Sequence, residues 1–351
     1  MRTTHEVVVG DARDLALPDS SVDLVVTSPP YPMIEMWDEG FAALDPAVAD
    51  ALAAGDGDRA FERMHALLDP VWRELARVLV DGGVAVVDVG DATRKVGDRF
   101  AMYPNGARVT DAFRECGFDV LPDVVWHKPT NAASKFMGSG MLPPNAYVTL
   151  EHERLLVFRN GGRRAFEPHA DRRYEAAYFW EERNAWFSDV WEVTGTDQAL
   201  DAETRGRSGA FPVEIPFRLV NMYSTYGDRV LDPFWGTGTT TLAALVAGRH
   251  SVGYELDGDL LAAFEDRLPD LPARSRDRQR QRLRDHEAFV DRRRAEGDPP
   301  AYEAENYDFP VVTRQEQALR LYAVESVERT EPADGVLPGA DRRYEATHAP
   351  L

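Results

Sequence analysis

The chain is predicted to be an α/β protein built on a mostly parallel sheet with helices on both faces. Two observations predict this. Short apolar runs near residues 5–9, 22–27, 84–89, 120–126, 153–158, 229–232 and 251–255 read as strands. Helix-forming runs near 61–79, 107–116, 214–225 and 239–247 alternate with them, as in a parallel sheet wrapped by crossover helices. A length of 351 residues allows one large domain plus insertions. In an open sheet of this kind ligands bind at the carboxyl ends of the strands. Asp11, Ser28, Asp232 and Glu255 all fall at such ends, so they are expected to converge on one cleft.

The second strand, Val22-Asp23-Leu24-Val25-Val26, ends in Thr27-Ser28-Pro29-Pro30-Tyr31. Two successive prolines fix φ and remove both amide donors, so the loop presents carbonyl oxygens as acceptors. An exocyclic amine on a nucleic-acid base is a poor nucleophile because its lone pair is delocalised into the ring. Acceptors aimed at its two protons, here the Ser28 hydroxyl and a backbone carbonyl near Pro29, favour the nucleophilic form. Tyr31 offers a ring on which a base flipped out of the helix can stack. The plain alternative is a proline-rich turn after a strand.

Arg229-Val230-Leu231 reads as a short strand, and Thr240 to Ala247 as a helix. Gly236 and Gly238 lie between them, where a missing Cβ lets the backbone approach a ligand. Free amides at the helix start attract a polar or anionic group. Ser251-Val252-Gly253-Tyr254-Glu255 then supplies a strand ending in an acid, placed to accept hydrogen bonds from ribose hydroxyls. The turn lacks the GxGxxG spacing of dinucleotide folds and the Gly-Lys-Ser/Thr of a P-loop, which argues against NAD and ATP. A turn that merely joins strand to helix is the alternative.

Thr-Ser-Pro-Pro-Tyr followed much later by Asp-Pro-Phe-x-Gly-x-Gly-Thr resembles the amino-methylating DNA methyltransferases that use S-adenosylmethionine. The catalytic motif precedes the cofactor motif, as in the permuted β group of that family. Gly10 to Leu15, Glu74 to Gly83, Glu151 to Arg159 and Phe211 to Pro216 resemble further family segments in the same order. The resemblance implies a seven-stranded, circularly permuted methyltransferase sheet. It implies that the cofactor is held by Asp11, Phe211, Pro212, Asp232, Pro233, Phe234, Gly236, Gly238, Thr239, Thr240 and Glu255. Ser28, Pro29, Pro30 and Tyr31 would form the catalytic loop. Relatives that methylate adenine N6 mostly carry Asp where this chain has Ser28, so the resemblance implies cytosine N4. The run from Ser28 to Trp37 resembles archaeal enzymes that act on CTAG. Adenine N6 transfer, methylation of an RNA base, and a non-catalytic DNA-binding protein that kept the fold are the alternatives.

Cytosine C5 chemistry needs a cysteine nucleophile. The single cysteine, Cys116, ends a helical run and reads as a packed thiol. One cysteine excludes an internal disulfide and fits a reducing cytoplasm. No secretory leader or membrane-spanning run is read, and no metal site is expected. A cytoplasmic, nucleoid-associated location is expected.

The net charge is −20, with lysine only at Lys95, Lys128 and Lys135. A polyanionic ligand normally asks for a basic surface. An acidic, lysine-poor chain is instead expected of a high-salt cytoplasm, where the Debye length is about 3 Å or less. Against that background, Arg159, Arg163, Arg164, Arg172 and Arg173 outnumber Glu167 and Asp171 within 159–173. Trp180, Trp186 and Trp191 follow, with Arg205 and Arg207 beyond. Residues 160–210 therefore read as a target-recognition insert between the catalytic half (1–159) and the cofactor half (211–268). A solvated loop with its own small aromatic core is the alternative. Trp37, just after the catalytic loop, and the loop from Asn131 to Asn145 can share in DNA contact, and so can His127 and Lys128, although core and structural roles fit them equally.

Residues 269–351 read as a charged, mainly helical extension. Nine arginines and four acids fall within 274–294, with Arg276, Arg280 and Arg284 on one stripe. A solvated, salt-bridged helix is the default and a phosphate-tracking helix the sharper reading. Gln315 to Val327 is expected to form one more helix. Ala-Asp-Arg-Arg-Tyr-Glu-Ala occurs at both 170–176 and 340–346. The expected partners are double-stranded DNA with a flipped base, a separate restriction endonuclease or none, and a second copy of the chain.

The charge reading makes a prediction for thermal unfolding followed by circular dichroism. Stability should rise as potassium chloride is raised from about 0.1 to 2 M, as repulsion within the acidic chain is screened. An unfolding midpoint that is unchanged or falls over that range would remove the high-salt reading.

Overall fold

A computed structural model describes residues 1–128, 137–138, 141–194, 211–331, 337 and 339–351. Arg205, Arg207 and, in the loop from Asn131 to Asn145, residues 131–136 and 139–140 lie outside the described residues. The main sheet has ten strands: β1 (Arg2–Val9), β2 (Val22–Thr27), β3 (Leu79–Val89), β4 (Phe118–His127), β5 (His152–Asn160), β6 (Val190–Glu192), β7 (Arg229–Asp232), β8 (His250–Glu255), β9 (Tyr322–Thr330) and β10 (Arg342–Pro350). Their order across the sheet is β6-β4-β5-β3-β2-β7-β8-β1-β10-β9. Only β5 and β10 run against the rest.

All seven anticipated strands are present. The three further strands extend both edges, with β6 beside β4 and the β9–β10 hairpin beside β1. The permutation is plain in the order: β2 and β7, about two hundred residues apart in sequence, pair directly, with Val230 opposite Leu24 and Leu231 opposite Val25. Both are short and apolar because a parallel strand covered on two faces has no solvent side.

The described α-helices are α1 (Asp38–Leu44), α2 (Pro46–Ala53), α3 (Gly57–Val78), α4 (Asn105–Glu115), α5 (Asp171–Glu175), α6 (Trp180–Trp186), α7 (Glu214–Tyr223), α8 (Thr239–Ala247), α9 (Leu260–Glu265) and α10 (Leu271–Ala295). The side chain of Asp56 caps α3 by accepting the Arg59 amide at 3.1 Å, which satisfies one otherwise unpaired donor. Phe61, Met64, Leu68, Trp72 and Leu75, at helical spacing, bury the inner face of α3. With α4 they form one core, in which Phe113 stacks on Phe158 at 4.1 Å. On the other face α7 and α8 pack a second core around Phe217, Trp235 and Phe264.

Every residue of α8 is buried, so that helix needs a cover. The C-terminal extension supplies it: Gln279 of α10 donates to the Val246 carbonyl at 2.9 Å, and Ser275 accepts the Val324 amide of β9 at 3.1 Å. Fully burying one large apolar side chain contributes roughly 1.5–3 kcal/mol. The extension is therefore part of the core, and its description as mainly helical is corrected. Residues 315–327 form no α-helix: a short 3₁₀ turn at Arg314–Glu316 precedes β9, which pairs with β10 along most of its length. Local helix preference yields to that pairing. The repeated heptapeptide makes the same point, being helical at α5 and extended in β10. The expected helix at 274–294 is present as α10. Arg276, Arg280 and Arg284 lie exposed on it, while its inner face buries Arg282 in an ion pair with Glu182 at 2.5 Å.

Buried histidines make the fold sensitive to acid. His5 is fully buried between Thr3 and Ser251, and His348 also bonds Thr3. Burial holds the His5 ring well below the ordinary histidine range and lowers His348 and His65 to about 4; it lowers His250 as well. His286 is the counterexample: it loses charge preference to burial, but the Glu181 carboxylate more than restores it. Where the folded state disfavours protonation, stability is present above the unfolded value near 6.5 and is lost as pH falls from there toward the folded value. The histidines should therefore lower the urea midpoint at pH 5 relative to pH 7.5, against the opposite contribution of the raised Asp232 and Glu255 carboxyls. The gap should narrow in His348→Gln. A gap unchanged in His348→Gln would contradict the neutral-histidine account.

Candidate active site

The carboxyl ends of β1, β2, β7 and β8 lie side by side, and the functional loops leave from them. Beyond the β2–β7 ladder, the catalytic and cofactor halves are joined by a buried side-chain bond: the Thr27 hydroxyl, last residue of β2, donates to Asp232 Oδ1 of β7 at 2.7 Å. The same oxygen accepts the Phe234 amide at 3.1 Å. Burial raises the Asp232 carboxyl to about 6, and those donors hold it down from going further. Asp232 thus fixes the start of the glycine turn relative to the catalytic loop.

The glycine turn is built around Trp235. Its ring is buried, and its indole N–H donates to the Thr241 hydroxyl at 2.8 Å. A Cβ on Gly238, which has φ +74, would come within 2.6 Å of both the Trp235 and the Phe264 rings. One on Gly253 would come within 2.0 Å of Trp235. The missing Cβ of Gly238 thus makes room for Trp235 and Phe264 beneath the turn. Gly236 also has positive φ, at 55, and its amide donates to Glu255 Oε2 at 2.7 Å. Glu255 Oε1 accepts the Asp257 amide at 2.9 Å. Burial raises the Glu255 carboxyl, against the pull of those two amides.

The expected cofactor residues divide into two groups. Asp11, Phe234, Gly236 and Glu255 are half-buried and border the edge of the sheet. Asp11 grips Arg13 through both carboxylate oxygens, which holds its carboxyl below the ordinary range. Asp232, Pro233, Gly238, Thr239 and Thr240 are buried beneath the turn, and the Thr240 hydroxyl donates to the Val26 carbonyl at 3.2 Å. Phe211 and Pro212 are buried at the start of α7, where the Pro212 carbonyl accepts the Ile215 amide. Leu256, beside Glu255, is 61% exposed. The sequence reading passed over it, although an apolar residue directly after a strand-terminal acid offers a flat surface for a ring.

On the catalytic side Ser28 and Pro30 are half-buried and Pro29 is buried. Ser28 Oγ lies 3.0 Å from the Tyr31 hydroxyl. The Tyr31 hydroxyl in turn is 3.3 Å from Asp88 Oδ2, at the end of β3, and 3.3 Å from Glu153 Oε2, at the start of β5. Lys128, just past β4, ion-pairs Glu153. This polar cluster escaped the sequence reading. Asp88 nevertheless ends an apolar strand as Asp232 and Glu255 do, and that shared pattern could have identified it. Trp37 is half-buried and packs on the first core, whereas its neighbour Met36 is 47% exposed. Cys116 is a free thiol at the end of α4, raised by burial, far along the chain from any strand end in the cleft.

The recognition arginines fall elsewhere. Because β5 runs antiparallel to β3, it starts beside the catalytic loop and delivers Asn160 to the opposite edge of the sheet. There the Arg163–Arg164 backbone covers Gly82, and Arg164 ion-pairs Asp228 at 2.6 Å and Asp23 at 2.9 Å. Arg172 also reaches Asp228, and Arg173 lies over the Phe166 ring. None of the four is brought to the cleft that holds Ser28. Trp186 and Trp191 are buried in the second core. Two cavities, of about 650 and 520 Å³, also lie away from Ser28. The larger, between α7 and α10, shares only Pro212 with the expected cofactor residues. The smaller lies among Arg164, Arg173, Tyr178 and Trp180. Among the described residues no helix is long and apolar enough to cross a membrane, and no His, Cys, Asp or Glu group could hold a metal ion.

The chain is similar to known DNA methyltransferases. A Type II methyltransferase of Methanothermobacter thermautotrophicus, M.MthZI, is 49% identical over 328 residues, 92% of this chain and 91% of that protein. M.MjaI of Methanocaldococcus jannaschii, also a Type II methyltransferase, is 46% identical over 278 residues, covering 76% of this chain and 91% of its own length. A candidate DNA modification methylase of Thermus thermophilus, solved in complex with S-adenosyl-L-methionine, superposes with a TM-score of 0.58 at 32% identity, over 75% of this chain and 92% of that one. The N6/N4 DNA methylase family matches residues 22–266, and the chain belongs to it.

Proposed function

We propose that the protein transfers a methyl group from S-adenosylmethionine to the exocyclic N4 of cytosine in a short duplex site. The observation that carries this reading is Ser28 at the carboxyl end of β2, one strand away from the Asp232 turn and tied to it through Thr27. Bound there, S-adenosylmethionine supplies an electrophilic methyl group. The half-buried acids Asp11 and Glu255 suit its hydroxyl and amine donors, and Phe234 and Leu256 suit its adenine. The Gly236 amide holds Glu255 in place for this task.

The catalytic loop would do the rest. A base rotated out of the duplex would lie against the Tyr31 ring, which its hydroxyl bonds keep from swinging away. Ser28 Oγ and the Pro29 carbonyl would accept the two amine protons and free the nitrogen lone pair for attack. Serine at this position, where adenine-directed relatives mostly carry aspartate, favours cytosine.

Contact with the duplex would fall to segments that leave the same edge of the sheet. Exposed Met36 is one. Another is the hairpin Ala92–Val96 with Arg99–Tyr103, whose Phe100 stacks on Tyr147 at 4.9 Å. This replaces the arginines of 163–173 as the proposed recognition surface.

The test is to incubate duplexes carrying CTAG, and unmodified genomic DNA, with the protein and S-adenosylmethionine, then to digest them to nucleosides. N4-methylcytosine is expected. N6-methyladenine as the product would overturn the choice of base, and methylation of RNA with none of duplex DNA would overturn the substrate.

A further inference from the structure

Two carboxyl groups lie beneath the catalytic loop, and the roles proposed above for cofactor and base make no use of them. Asp88 is 3% exposed, and its Oδ1 is buried without a hydrogen-bond partner among the described residues. Glu153 stands on the adjacent antiparallel strand, so the two acids flank the same phenol oxygen, each 3.3 Å from Tyr31 Oη. Gly90 makes the room: a Cβ there would stand 3.1 Å from Glu153 Cγ and 3.3 Å from the Tyr31 ring. The other charged group on the pair is Lys128, whose ammonium binds Glu153 and lies 4.2 Å from the centre of the Trp126 ring.

Asp88 is buried and Glu153 half-buried, so two carboxylates beside one ammonium would leave the Asp88 charge uncompensated in the interior, which is strongly unfavourable. Burial and the Glu153 charge push the Asp88 carboxyl well above the ordinary range, and burial keeps Tyr31 as the neutral phenol. The buried Asp88 thus favours its protonated form, while Lys128 faces Glu153. That is the arrangement of a site able to take up one more proton.

Methylation of an exocyclic amine must release a proton. As the C–N bond forms, the C–S bond breaks and the sulfur keeps its electron pair; the nitrogen, briefly carrying an extra positive charge, must lose one hydrogen. We propose that this proton leaves through Ser28 and Tyr31 to the Asp88–Glu153 pair. Ser28 Oγ takes the amine proton and passes its own to Tyr31 Oη; Tyr31 passes its own to the free carboxylate, which becomes a carboxylic acid. Ser28 touches the reacting amine, whereas Asp88, Glu153 and Lys128 act through Tyr31. This inference rests on the amino-methylation reading, and it assigns Tyr31 a second task besides stacking.

The experiment measures single-turnover transfer from tritiated S-adenosylmethionine to in vitro amplified, unmodified genomic DNA, as a function of pH and in heavy water. Binding of S-adenosylmethionine is measured on each variant as a control. The wild-type rate should rise with pH through one ionisation and fall in heavy water. Tyr31→Phe, which keeps the ring but removes the link, should be about 10-fold or more slower and lose the ionisation, with cofactor affinity within about 2-fold. Glu153→Gln should do the same, and Glu153→Asp should restore part of the rate. Wild-type rate and pH profile in Tyr31→Phe would overturn the relay and leave amino-methylation standing. If Tyr31→Phe unfolds, Lys128→Met decides: a shifted ionisation supports the relay, and an unchanged one overturns it. No transfer by the wild-type protein to either base would overturn both readings.

Discussion

The cleft is organised around the buried hydrogen bond between the Thr27 hydroxyl and the Asp232 carboxylate, at the end of the β2–β7 pairing. It crosses from β2 to β7, and so from the loop that would hold the base to the loop that would hold the methyl donor. A charge-assisted bond in a dry site is worth roughly 1.5–3 kcal/mol. The geometric effect matters more. Methyl transfer in line requires the donor sulfur, the methyl carbon and the amine to be aligned, and an error of about 1 Å can cost roughly 100-fold in rate. Thr27 and Asp232 fix the two loops to a common origin, which the chain itself, with two hundred residues between them, cannot do.

Much of this was legible in the sequence, because burial leaves a clear trace. The seven strands were readable as short apolar runs, and Ser28, Asp232 and Glu255 stood out as polar residues that end such runs. The Trp235 packing was not legible. A glycine required by an indole ring looks the same in sequence as a glycine required by a ligand, and only the positions of Gly238 and Gly253 around the ring separate the two. Asp88 carried the same strand-terminal signal as Asp232 and Glu255, but its pairing with Glu153 was not legible, because it depends on neighbouring antiparallel strands that single-strand patterns do not encode. The β9–β10 hairpin was hidden for a related reason. Its strands are defined by pairing with each other and with β1, and the same seven residues fold as a helix at α5.

The arginine-rich stretch shows how strand direction governs function. Local charge alone made residues 159–173 look like a DNA-binding surface within an acidic chain. The reversal of β5 places them at the far edge, where Arg164 and Arg172 pair with Asp23 and Asp228. The surface beside the catalytic loop is instead marked by exposed apolar residues, among them Met36, Phe100 and Met102. Such a surface suits contact with sugars and unstacked bases better than long-range attraction of phosphates.

The central claim is that one cleft holds both functions, with separate residues serving each. The most direct measurement is paired equilibrium binding of S-adenosylmethionine and single-turnover methyl transfer in two variants, Ser28→Ala and Glu255→Ala. Ser28→Ala should bind the cofactor within about 2-fold of the wild type and transfer methyl roughly 100-fold more slowly. Glu255→Ala should lose cofactor affinity by about 10-fold or more and recover transfer as the cofactor concentration is raised. Wild-type transfer by Ser28→Ala, or unchanged cofactor affinity in Glu255→Ala, would contradict the account.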